Sequence, residues 1–403
     1  MSSPRSERLA AAPVPAERGG RALTPLAGIL LGAGAAALLA SAVLGAIEPD
    51  RTLGAYLIAY SFFWTLAIGG LFFVLVQHVT RAAWGVVIRR LAEQMAWPLV
   101  LLAILFLPLA LGADRLYPWL SPEADADPLL AAKAPYLSWI RFATTAAVLF
   151  GLWIALAFWL RRLSLAQDRT GDPDRSERLR RGAAPGLVLF ALSLTVASFD
   201  WLMSLQPHWY STIFGIYVFA GVGSATMAFL ILASHALAGD PRMRGRLTRE
   251  HDHDLGKLLF AFACFWAYIA FSQFMLIWYA SIPVETRFYG LRLTEGWRPI
   301  TLALAIGHFA VPFLLLLSRH VKRRPRWLVA AAGWMLLMHA VDLYWLVAPA
   351  IDPVRSAPRL VDGLVWIGVG APFLGVYLLA LDREALVPIG DPRLAESLAF
   401  ENE

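Results

Sequence analysis

His339 and Asp342 lie three residues apart in an otherwise apolar run, just under one helical turn, so both side chains leave the same helix face. An imidazole and a carboxyl placed that way can hold a proton between them; the alternative is an acid hydrated near an interface and titrating normally. About six residues of 1.5 Å rise separate Asp342 from the end of its run, which puts it below the headgroups of a bilayer. Asp200 lies similarly in an earlier run and is followed by His208 in a short turn, while Trp201, Trp209 and Tyr210 read as an interfacial aromatic belt. Lys257, Cys264, Tyr268, Ser272 and Tyr279 recur at spacings of seven, four, four and seven, with Gln273 alongside. On a helix this is one polar stripe roughly 33 Å long. With interleaved water, such a row relays protons; without it, the same groups bond neighbouring helices together.

His308 falls near the middle of its run, where an ionisable group is costly and therefore a functional candidate. His78 and His235 each follow a polar residue, Gln77 and Ser234, at the end of a run. Facing one another they would bracket a haem b; otherwise they cap helix ends. Lys257 is expected to snorkel to the inner interface. The string His251-Asp252-His253-Asp254 is either a weak metal site or a solvated loop with Asp254 as the N-cap of the next helix.

The elements that must position these groups are membrane spans. Hydrophobic residues make up 59% of the 403-residue chain and charged residues only 16%. A helix crossing the ~30 Å hydrocarbon core needs about 20 apolar residues. Ten stretches qualify, near 26–47, 53–79, 97–112, 136–160, 184–205, 210–237, 257–281, 299–318, 327–347 and 361–381. The third is short and opens at Pro98, so its start is open to an earlier position. Lys and Arg alternate by side: the N-terminus, the even-numbered connections and the C-terminus hold 26 of the 35, counting Lys257, against eight on the other side. Cytoplasmic loops carry that excess, so both termini are expected in the cytoplasm. The +6 net charge belongs to these loops and does not point to nucleic acid.

Residues 1–25 and 382–403 read as cytoplasmic tails around a 26–381 membrane domain, and no connection is long enough to fold as a soluble domain. The first apolar stretch is long enough to span, so no cleaved signal is expected. The Arg-rich connection 161–183 is expected to meet lipid headgroups or partner subunits. One cysteine, Cys264, cannot ligate an iron–sulfur cluster or attach a c-type haem, so no such centre is expected in this chain. The matched pairs Gln77-His78 with Ser234-His235, and Asp200 with Asp342, suggest two related four-helix units, 53–205 and 210–347, flanked by the first and last spans.

Three stretches carry a family resemblance: FDWLMSLQPHWYSTIFGIYVFAG from Phe199, LGKLLFAFACFWAYIAFSQFMLIWYASIPVET from Leu255, and DPRLAESLAFEN from Asp391. With the ten-span layout, the chain resembles the second NrfD-type (ActF-type) membrane subunit of alternative complex III, a bacterial quinol:electron-acceptor oxidoreductase. The resemblance implies an all-α membrane fold of two four-helix bundles with flanking helices. It also implies a chain without its own cofactor, beside a sister NrfD-like subunit, an iron–sulfur subunit, haem c subunits and small membrane subunits, with a terminal oxidase as a further partner. Quinol is then the substrate of the complex, and this subunit is implied to supply proton half-channels. An outer set (Asp200, Gln273, His339, Asp342) and an inner set (His78, His235, Lys257) would form two half-paths, joined at the depth of His308 and Tyr268, with Ser272 on the stripe. Three other readings stay open: a quinol site in this chain, using His339 with Asp342 or Asp200 with His208; a stand-alone secondary transporter; and a structural scaffold.

Overall fold

A computed structural model of the chain describes residues 22–353 and 357–401. Most of the expected N-terminal tail, residues 1–21, lies outside the described residues. Among those described there is no strand, and ten helices are long and apolar enough to cross a membrane. They are α1 (Thr24–Gly45), α2 (Pro49–Val79), α3 (Val86–Leu111), α4 (Trp139–Thr170), α5 (Pro173–Leu205), α6 (Phe214–Ala236), α7 (Arg249–Ala280), α8 (Arg298–Leu317), α9 (Pro325–Ile351) and α10 (Leu360–Asp382).

α2 forms the axis of the molecule, buried along nearly its whole length. It packs against α3, α5, α6, α9 and α10. α6 packs on α7 and α9, α8 fits between α7 and α9, and α4 lies on α3 and α5. α1 pairs with α10, where Gly34 sits against the ring of Pro372. The backbone N–H and hydroxyl of Thr24 both donate to Asp382 (3.1 and 2.7 Å), so the start of α1 and the end of α10 share one end of the molecule.

The helices outrun the apolar stretches from which they are recognised. α4 continues to Thr170 and α5 begins at Pro173, so the Arg-rich connection expected over 161–183 is mostly helix. Its turn is explained locally. Gly171 takes the left-handed conformation (φ +62°) that favours glycine after a helix end. Asp172 then caps α5 by accepting from the N–H of Asp174 (3.0 Å), with Pro173 at the first helical position. α3 likewise starts at Val86 rather than near 97. Its first turns carry Arg89, Arg90 and Glu93, too polar for a hydropathy reading, yet all three are buried. Pro98 interrupts the helix without ending it.

These buried charges find partners in other segments and fasten the C-terminal tail. Arg90 pairs with Asp168 (2.5 Å), Glu93 accepts from Ser164 (2.8 Å), and Arg89 pairs with Asp391. Ser397 accepts from the N–H of Val87 (3.3 Å) and donates to the carbonyl of Trp84 (2.9 Å). Leu394 and Leu398 are buried beside them. The C-terminal tail is therefore docked on α3 and the end of α4. We call this the arginine-rich end. α7 starts at Arg249, capped by Thr248 with His251; the expected N-cap Asp254 instead sits inside the helix, paired with Lys257 (2.5 Å). His251 to Asp254 are thus the first turns of a helix, not a loop.

The α2–α6 crossing depends on the absence of a side chain at Gly69, where a Cβ would overlap the hydroxyl of Thr226. Gly69→Ala is expected to cost about 1–3 kcal/mol by overpacking, read as a lower thermal-unfolding midpoint in detergent. Gly28→Ala, with nothing within 4 Å, leaves the midpoint unchanged, and adding Thr226→Ala to Gly69→Ala restores part of the loss.

Candidate functional site

The conjunction of α2, α6, α7, α8 and α9 encloses a polar cluster with Asp342 at its centre. The Tyr217 hydroxyl (α6) and the Trp266 indole N–H (α7, 3.0 Å) both donate to its carboxyl. Trp266 also stacks on the ring of His308 (α8), with centroids 4.0 Å apart and planes at 23°. His308 is fully buried, and neither ring nitrogen has a partner among the described residues.

His308 lies in a π-helical segment, Leu304–Ala310. Its cause is local: Pro312 has no N–H to offer the carbonyl of His308, four residues back, and its ring crowds that position. The carbonyl of Gly307 is satisfied instead by the indole N–H of Trp334 (2.7 Å). Such segments are rare and cluster at functional positions.

His339 stands near Asp342 on α9 but turns elsewhere. Its Nε2 meets Thr65 Oγ1 (α2) at 2.9 Å. The Thr65 hydroxyl hydrogen is already donated to the carbonyl of Phe62 (2.7 Å). The ring must therefore donate from Nε2, leaving Nδ1 as a bare lone pair. That atom is buried without a partner among the described residues and faces Gly221 of α6, whose missing side chain leaves room for the ring. The expected sharing of one proton between His339 and Asp342 is corrected: each is held by other helices.

Away from the arginine-rich end, Arg292 of the short helix Pro283–Arg292 is fully buried. It donates to the carbonyls of Trp345 (3.0 Å), Phe288 (2.9 Å) and Leu346 (2.6 Å), and lies over the Phe288 ring. Burial pushes its guanidinium down to about 9, so it remains a cation at neutral pH and sets a positive potential toward Asp342. Gln273 bridges Ser211 (3.0 Å) and Tyr289 (3.2 Å). Asp200 forms a separate site. Arg141 of α4 donates to both its oxygens (2.8 and 2.9 Å), and the Tyr136 hydroxyl donates as well (2.9 Å). Its expected partner His208 instead meets Asp127 (2.6 Å), whose carboxyl that bond holds below the usual range. Trp201 and Trp209 are buried core residues, Trp201 packed on Trp64 and Phe106, and of the expected aromatic belt only Tyr210 is exposed.

At the arginine-rich end, His235 meets Asp252 (2.9 Å), while His78 is buried with Nε2 unpartnered among the described residues, beside a cleft of about 180 Å³ shared with Arg89 and Asp391. The stripe on α7 is split by the helix's orientation. Tyr268 is 67% exposed and Tyr279 84%, whereas the buried face carries Trp266 and Gln273. Tyr268, expected to join the two sets, points outward; Ser272 is half-buried, and Lys257 sits at the surface with Asp254. His308, His339 and Asp342 are brought together. Asp200, Gln273, His78 and His235 lie in other polar sites.

Thr65, Tyr217, Trp266 and Arg292 are absent from the sequence-based set. Tyr217 and Trp266 lie within the recognisable stretches, so their pattern was visible though their role was not. Nothing marks Arg292, one of three basic residues in its connection. Among the described residues, no group of three or more His, Cys, Asp or Glu is arranged to hold a metal ion.

Arg141→Gln leaves the buried Asp200 carboxylate with one side-chain donor and is expected to destabilise the protein by about 3 kcal/mol. Arg141→Gln with Asp200→Asn removes the uncompensated charge and recovers most of it, as a double-mutant cycle of unfolding midpoints would measure. No family model matches the chain, and no curated protein matches it.

Proposed function

We propose that this chain is a cofactor-free NrfD-like membrane subunit of a bacterial quinol-oxidising respiratory complex of the alternative complex III type, in which it carries protons. The observation that carries the proton role is the Asp342 cluster. An acid, a histidine with Nδ1 unpartnered and a second histidine with both nitrogens unpartnered among the described residues lie together inside a protein with ten candidate spans. Quinol oxidation releases two protons for every two electrons, and electrons leaving through centres in partner subunits require separate proton exits. In this reading Asp342 takes up a proton at the oxygen not bonded to Tyr217. His339 takes one at Nδ1 while Nε2 stays on Thr65.

Membership of the complex is supported by the three recognisable stretches and by the work their residues do. The first supplies Asp200, Tyr217 and Gly221, the second Trp266 and Gln273, and the third the docked tail through Asp391 and Ser397. Packing supports the bundle assignment: α2 to α5 and α6 to α9 each close on themselves, with α1 and α10 paired alongside. The excess of Lys and Arg supports placing the arginine-rich end, with both termini, in the cytoplasm of the inner membrane. Sister, iron–sulfur, haem c and small membrane subunits, lipids and a terminal oxidase are the partners this reading assigns.

One feature favours a second reading, in which this chain binds quinol itself. A cleft of about 340 Å³ lies among Leu205, Trp209, Phe288 and Pro349, with Gln206, Arg287 and His208, itself bonded to Asp127, as its polar lining. A quinone that co-purifies and is lost in His208→Ala would establish it.

Pull-down of the tagged chain in mild detergent should bring haem c absorbance, an iron–sulfur protein and a second ten-span subunit; a colourless chain purified alone would contradict the complex. Within the complex, Asp342→Asn is expected to lower coupled quinol oxidation by about a hundredfold or more, the range for a lost proton-transfer group, with Asp342→Glu recovering much of it. Unchanged turnover and proton release in Asp342→Asn and His308→Gln would favour a scaffold.

A further inference from the structure

At the arginine-rich end, the Gly171 turn stands beside a groove of about 700 Å³. Five guanidinium groups line it, from Arg161 and Arg162, Arg169, Arg175 and Arg178, and no Asp or Glu does. Two are already engaged. Arg161 donates to Gln94 (3.1 Å) and lies over the Trp97 ring (4.2 Å to its centroid), and Arg175 pairs with Asp172 (3.4 Å). Arg162, Arg169 and Arg178 have no acidic partner among the described residues.

The groove opens onto apolar ridges that point out of the protein. On α4, Val148, Gly151, Ala155 and Phe158 are exposed and share a face with Arg162, at 14, 11, 7 and 4 residues before it. On α5, Leu189 and Leu192 are exposed and lie 11 and 14 residues after Arg178, on its face. Each ridge therefore runs about 20 Å into the hydrocarbon from a cationic head. A concentration of unpaired positive charge at the headgroup level, with two apolar tracks descending from it, matches one chemistry: an anionic phosphate ester bearing two acyl chains. A free phosphate would use the arginines and leave the ridges unused. An acidic protein segment would not follow them into the membrane.

We propose that this groove binds the phosphate headgroup of an anionic two-chain phospholipid, with its acyl chains laid along the outward faces of α4 and α5. Arg162, Arg169 and Arg178 supply the charge, Arg161 is held in place by Trp97 and Gln94, and Trp97 and Phe158 form the wall at the depth of the glycerol. The bound lipid also neutralises repulsion among the arginines around the Gly171 turn, so it fixes the ends of α4 and α5 against each other.

Native mass spectrometry of the full chain, released from vesicles of phosphatidylcholine doped with phosphatidylglycerol, reads the preference directly. The wild-type chain should retain phosphatidylglycerol over phosphatidylcholine, and the triple variant Arg162→Gln, Arg169→Gln, Arg178→Gln should lose about tenfold or more of that preference. The corresponding triple Lys variant keeps the charge and should keep most of it. All three side chains are at least partly exposed in surface positions, so equal thermal midpoints certify the fold. An unchanged preference in the Gln variant would overturn the proposal, as would equal retention of the two lipids by the wild type. Full displacement of phosphatidylglycerol by inorganic phosphate at equal concentration would assign the groove to a free anion instead.

Discussion

A carboxyl group inside hydrocarbon persists only where donors from other helices reach it, because no water is there to take their place. Asp342 meets that condition through two donors on two different helices, Tyr217 on α6 and Trp266 on α7. The surrounding packing follows from it. Trp266 must face inward, which sets the rotation of α7 and turns Tyr268 and Tyr279 outward. The same indole becomes the platform for His308, whose helix opens into a π-helical segment at that position. α6 must pass close to α9, and Gly221 makes that approach possible, as Gly69 does where α2 crosses α6. The acid is thus the point on which five helices agree.

The two ends of the molecule solve the same problem with different means. At the arginine-rich end, the buried charges of α3 each meet a partner from another segment: Arg90 meets Asp168, Glu93 meets Ser164, and Arg89 meets the tail residue Asp391. Breaking one partner there leaves a buried charge, so this network fixes a unique arrangement of α3, α4 and the tail. In the Asp342 cluster the accounting is left incomplete. Three imidazole nitrogens, two on His308 and one on His339, lack partners among the described residues. Buried polar atoms are rarely left that way, and where they are, they mark strain, bound water or a transferable proton.

Much of this was legible from the residues. The ten spans, and the choice of His308, His339 and Asp342 as candidates, follow from the cost of polarity in hydrocarbon, and the structure brings those three residues together. The helix bounds were less legible at the arginine-rich end, because Arg89, Arg90 and the Arg-rich turns of α4 and α5 defeat a hydropathy window while remaining helical. Partner choice was illegible. His208 stands eight residues from Asp200, yet Arg141 and Tyr136, far earlier in the chain, hold that acid. The stripe on α7 was a correct periodicity placed on the wrong side, since spacing fixes which residues share a face and not which way the face points. Arg292 had no signal at all: a buried cation in a short connecting helix reads like any loop arginine.

The most direct measurement is redox-triggered infrared difference spectroscopy on membranes holding the assembled complex, which reports carboxyl protonation during turnover. The account predicts a protonated-carboxyl carbonyl band that appears or shifts on turnover, survives in Asp200→Asn and is lost in Asp342→Asn. A carboxyl difference spectrum identical in Asp342→Asn and the wild-type complex would contradict it, and would leave Asp342 a packing group held by Tyr217 and Trp266.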